Sequence, residues 1–87
     1  MRNKKHDLKR LDLSIGNWRN LGLHAASRGE DRKMVEQYAA DVDDLMAFRD
    51  AYAAGNLDEA RRLADEMDTI VRDQIPLQLY YRLFPNR

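Results

Sequence analysis

Residues 34–75 constrain this chain more than any other segment, because two amphipathic stretches meet there at Tyr52-Ala53-Ala54-Gly55-Asn56-Leu57-Asp58-Glu59-Ala60. Gly55 suits the left-handed residue that closes a helix. Asn56 suits the N-cap of the next helix, and Glu59, three positions on, has the spacing of a capping box. A helix, a short turn and a second helix are therefore expected, and a short connection makes consecutive helices antiparallel neighbours.

The helical period continues on both sides of this junction. Leu8, Leu11, Ile15, Trp18, Gly22 and Ala25 alternate spacings of three and four and share one stripe of a first helix, with Leu13 and Leu23 off it. Gly16 and Gly22 each cost roughly 1 kcal/mol against Ala in a helix interior, so a break near Gly16-Asn17, with Asn17 capping a second piece, is one reading of this segment. Gly29 can end the first helix, and Ser27 with Glu30 has capping-box spacing for the second. Helix 2 is expected over about 31–54, with Val35, Tyr38, Val42, Leu45 and Tyr52 on its stripe, widened by Met34, Met46 and Phe48. Arg49 occupies a stripe position between Leu45 and Tyr52; it reads as a side chain whose stem packs while its head reaches water or a carboxylate. Helix 3 is expected over about 57–75, with Ala60, Leu63, Ala64, Met67, Ile70, Val71 and Ile75 on its apolar face. Pro76 ends it or starts a new turn. The dense run Leu77–Phe84 reads as a short fourth helix.

No stretch alternates with the period of a strand. The expected fold is all-α: a small antiparallel three-helix bundle with a short fourth helix at the C-terminal end, residues 1–87 forming one domain and residues 1–7 a flexible basic arm. Around the junction, Tyr52, Gly55 and Leu57-Asp58-Glu59-Ala60 resemble half a tetratricopeptide repeat. The resemblance ends there: the proline comes late, at Pro76, no second repeat is present, and a solenoid needs several. It implies shared hairpin chemistry.

Charge is segregated although the net charge is zero. Residues 1–33 hold nine Lys or Arg against four Asp or Glu, residues 34–76 hold four against eleven, and residues 77–87 add Arg82 and Arg87. A basic end and an acidic middle can attract each other within one fold or between two copies. The chain has no cysteine, which removes disulfides and thiolate chemistry and fits a reducing compartment. No segment has the ~18–20 apolar residues of a membrane span, and the basic start lacks the apolar run that a secretory signal requires. A cytoplasmic protein of bacterial or phage origin is the expectation.

Catalytic constellations are sparse. Asp41 with Asp44, and Asp65 with Asp68, have the i, i+3 spacing by which paired carboxylates on facing helices hold magnesium. A helical wheel turns them largely toward solvent. His6 and His24 lack metal-ligand spacing and read as surface residues. Ser14, Ser27 and Thr69 have no matching base, and the four glycines make no phosphate loop. No cofactor and no metal are expected.

The C-terminal run concentrates the signal for binding. Tyr80, Tyr81 and Phe84 lie beside Leu77, Leu79 and Leu83, and Tyr and Arg are enriched where protein contacts are strongest. Leu79, Tyr80, Leu83 and Phe84 can share one helical face; Tyr81 cannot. The expected function is thus a small non-catalytic protein–protein interaction module or regulator acting as a homodimer. Leu77, Tyr80, Tyr81 and Phe84 are the expected contact, with Arg82 in support. An alternative is a nucleic-acid-associated accessory protein that uses Arg2, Lys4, Lys5, Lys9 and Arg10 of the arm together with Arg19, Arg28, Arg32 and Lys33. A further alternative is a magnesium-dependent helical hydrolase built on the Asp pairs.

Overall fold

Both predicted reversals of the chain are built on glycine. In the computed structural model, which describes the backbone of residues 2–86 and the side chains of residues 4–86, α1 spans Arg2–Ser27 and α2 Arg32–Ala53. Gly29 sits at φ +73° and Gly55 at φ +79°. Each is flanked by the same hydrogen-bond pair: Gly29 N–H donates to Ala26 O and Glu30 N–H to Ala25 O; Gly55 N–H donates to Tyr52 O and Asn56 N–H to Ala51 O. These are Schellman closures, which satisfy the last carbonyls of a helix and need a left-handed residue. Asn56 then caps α3, Leu57–Glu66, by accepting from Glu59 N–H. Glu59 does not complete a capping box; its carboxylate pairs with Arg62. The N-cap of α2 is Asp31, which accepts from Lys33 N–H, not Ser27. Ser27 lies within α1 and donates to His24 O.

The all-α bundle expected from the sequence is the architecture found. α1 and α2 are antiparallel, joined along a seam from Asp7 and Tyr52 at one end to Gly22 and Tyr38 at the other. α3 turns back along α2. Leu11, Ile15, Trp18, Val42, Leu45, Phe48, Ala60, Ala64 and Met67 form the core, with Leu79 and Leu83 closing it.

Three expectations are corrected. α1 is continuous through Gly16 and Gly22. Ile15 and Trp18 are buried on either side of Gly16, and such packing outweighs a propensity cost of ~1 kcal/mol. The arm expected over residues 1–7 is, from Arg2 onward, the first turns of α1, and Asp7 is only 4% exposed; Met1 lies outside the described residues. Helix 3 does not reach residue 75. It stops at Glu66, Met67 is extended at ψ 147°, and two short helices complete the chain: α4, Thr69–Arg72, and α5, Leu77–Leu83.

Arg72 explains that break. Its guanidinium reaches back to donate to Ala64 O at 3.0 Å, Met67 O at 3.0 Å and Asp65 O at 3.3 Å. Carbonyls that a continuing helix would have used are thereby satisfied, and a cation sits at the negative end of the α3 dipole. The break turns residues 69–75 out of the α3 register, so Ile70, expected on the apolar face, is exposed while Val71 and Ile75 are buried. Among the described residues no helix is long and apolar enough to cross a membrane.

Candidate functional site

The residues expected to carry binding divide into an anchoring set and an outward set. Leu79, Leu83 and Phe84 are buried. Tyr80 is half-buried, with its ring 4.9 Å from Phe84 and 6.0 Å from Tyr81. Leu77 and Tyr81 face outward, 64% and 51% exposed. Phe84 therefore holds α5 to the core and does not belong to a free surface, in keeping with its sharing a helical face with Leu79 and Tyr80. A cavity of about 560 Å³ lies beside Leu77 and Tyr81, lined also by Arg10 and Ser14 of α1 and by Thr69, Arg72 and Tyr80.

Arg82, which is partly exposed, makes a contact within the chain. It pairs with the carboxylate of Asp7, which also accepts from Tyr52 Oη at 2.8 Å. Burial pushes the Tyr52 phenol up from its ordinary 10.0. One carboxylate thus ties α1, α2 and α5 together. Arg61 adds a second tie to α5, its Nε donating to Leu83 O at 2.8 Å. The sequence did hold a signal for Asp7: it lies four positions before Leu11 and so extends the α1 stripe.

A second buried carboxylate is Asp41, 6% exposed. It accepts from Trp18 Nε1 at 3.3 Å and Gln37 Nε2 at 2.9 Å. The expectation that Asp41 faces solvent is overturned, because a buried indole N–H needs an acceptor. Asp44 is exposed, and its carboxyl is raised above the ordinary 3.8, first by partial burial and then by Asp41, Asp43, Glu66 and Asp68. The end of α3 and the middle of α2 therefore form an acidic corner. Among the described residues, no group of three or more His, Asp or Glu is arranged to hold a metal ion.

Arg49 donates to Asp12 at 3.0 Å and to Asp50 at 3.4 Å, so its head meets carboxylates as expected. Of the basic residues weighed for nucleic acid, Arg28 pairs with Glu30 and Arg32 with Glu36. Arg19 makes no ion pair among the described residues; its Nη2 rests 3.4 Å from Met46 Sδ.

The α1–α2 hairpin carries an apolar groove of about 310 Å³ that sequence reasoning missed. Leu23, Ala26, Val35, Ala39 and Met46 line it, with Arg19 on one wall and Asp43 on the other. Among the described residues, none of α3, α4 or α5 lines it. The signal was Leu23 and Met46 standing off or at the edge of their stripes. Compared with known protein families, curated proteins and solved structures, the chain matches none.

Proposed function

We propose that this chain is a small, non-catalytic protein–protein interaction module that acts as a homodimer. The observation that carries this reading is surplus apolar surface. Nine large apolar side chains among the described residues, from Leu57 at 40% to Leu77 at 64%, are exposed on a domain this small. Leu23 and Met46 line one groove and Leu77 and Tyr81 one cavity, and exposed apolar surface gathered in this way marks sites of association. A small domain that buries only part of its apolar surface gains from hiding the remainder against another chain.

Support also comes from the anchoring of α5. Phe84, Leu79, Leu83 and the Asp7–Arg82 pair hold this helix, and Leu77 and Tyr81 project from it. A side chain presented on a rigid element loses little conformational freedom when it binds. In this reading the Leu77–Tyr81 surface receives a partner protein, while the dimer contact lies elsewhere.

Size-exclusion chromatography with light scattering, run across a hundredfold range of concentration, tests the homodimer. The expected result is a species of twice the 10.2 kDa chain mass. A single-chain mass at every concentration would overturn it. Absorbance at 260 nm in excess of protein, lost at high salt, would favour nucleic acid instead.

A further inference from the structure

We infer that the groove between α1 and α2 is the seat of a second copy of this chain, packed so that α1 of each copy lies over α2 of the other. The inference deepens the homodimer reading and rests on it. The flank of the hairpin that carries the groove is the one the rest of the chain leaves open. At 100° per residue, Arg19, Ala26 and Leu23 lie about 80–140° to one side of Trp18, whereas Ser14 and Arg10 lie about 40–80° to the other. Ser14 and Arg10 line a cavity together with residues of α4 and α5, and Asp7, about 20° to that same side, pairs with Arg82 of α5. On α2, Met46, Ala39 and Asp43 turn about 80–140° from Tyr38. Asp44, which feels Glu66 and Asp68 of the C-terminal half, turns about 120° the opposite way.

Charge selects the occupant. By the same wheel the groove flank carries Lys5, Asp12 and Arg19 of α1 and Arg32, Asp43 and Asp50 of α2, a net positive charge on one helix and a net negative charge on the other. A two-fold axis across the helices would lay α1 on α1 and set Arg19 among like charges. A two-fold axis along the hairpin lays basic α1 on the partner's acidic α2. The seam contacts Trp18–Asp41 and Gly22–Tyr38 set the level of each helix against the other. They place Arg19 within about one turn of Asp43, so across such an axis each Arg19 meets the other copy's Asp43. Neither side chain has an ion-pair partner among the described residues of its own chain. Leu23 and Ala26 of each α1 then close over the α2 groove residues of the other copy, Ala39 and Met46 among them, as the inner layer of a four-helix arrangement. The molecule is 42 Å long and 23 Å wide, which accommodates the ~800 Å² per partner of a standard interface.

A charge swap tests this. Arg19→Asp and Asp43→Arg should each weaken dimerisation about tenfold, since each places two like-charge pairs across the two-fold. The double variant R19D/D43R should restore it. Leu23→Glu should give a single-chain mass. All three positions are on exposed or groove-lining surface, and circular dichroism checks that helicity is unchanged. A wild-type dimer left intact by R19D, D43R and L23E would overturn the groove while the homodimer reading stands. A wild-type monomer would remove both, and failure of the double variant to recover would remove the α1-on-α2 arrangement.

Discussion

Gly16 and Gly22 stand six residues apart in the same helix, and the structure gives the same substitution opposite signs at the two. A Cβ built at Gly16 meets nothing within 4 Å. Gly16→Ala should therefore gain the helix propensity alone, about 1 kcal/mol, or about 4–8 °C in Tm for a domain of this size. A Cβ at Gly22 falls 2.9 Å from Tyr38 Cβ and 3.5 Å from Tyr38 Cγ. Carbon atoms rest at about 3.5–4.0 Å, so α1 and α2 must part locally by about half an ångström. Overpacking of this kind costs about 1–3 kcal/mol. Because propensity cancels between the two variants, Gly22→Ala should be less stable than Gly16→Ala by that full amount. Urea unfolding tracked by far-ultraviolet circular dichroism reads the difference directly. Tyr38→Ala should not rescue Gly22→Ala, since the offending atom is Cβ, which alanine keeps. Equal stabilities for the two glycine variants would refute the close approach of the helices at Gly22.

Three other perturbations have definite outcomes. Asp44 has its folded-state carboxyl raised above 3.8, so the native state holds more protons than the unfolded chain there, and stability falls as pH rises through that window; Asp44→Asn should stabilise at pH 7 and be neutral at pH 3, in denaturant titrations at both. Arg72→Ala, by removing the guanidinium donors to the Ala64, Asp65 and Met67 carbonyls while Ala64 O keeps Met67 N–H, should cost about 1–3 kcal/mol in urea unfolding, and Arg72→Lys should recover only part because an ammonium cannot span them. Arg82→Ala leaves the Asp7 carboxylate buried without its cation and should lower the unfolding free energy by about 2 kcal/mol, with the double variant R82A/D7N less destabilised than R82A alone.

What the sequence discloses about this fold is what depends on near neighbours. Both turns were legible from the glycine that closes each helix, and the Asn56 cap with the second of them, whereas the cap of α2 was expected at Ser27 and is Asp31. Helix 2 was legible from its period, and the split of α5 into a buried face and an outward Tyr81 came from helical geometry. The break after Glu66 was not legible, because it depends on Arg72 folding back on the α3 carbonyls, an arrangement that no periodicity encodes. Asp7 and Asp41 were misread for a related reason. Their partners lie far along the chain: Tyr52 is 45 residues from Asp7, Arg82 is 75, and Trp18 is 23 from Asp41. An isolated carboxylate belongs in water until the fold supplies its donors. The groove escaped notice because each of its apolar residues, taken alone, is an ordinary exposed side chain.

The carboxylate of Asp7 draws on a phenol from the middle of the chain and a guanidinium from near its end. A ribosome delivers those groups in order, so the first turns of α1 are made long before the residue that neutralises them. Until Arg82 emerges, the Asp7 carboxylate has Tyr52 Oη as a donor but no cation, so the N-terminal turns settle less firmly against Tyr52. The hairpin can form early from its local turns, but its open end is sealed last. Completion of this fold is thus tied to completion of synthesis through residue 82, and chains cut short before that point should fray from the N-terminal side.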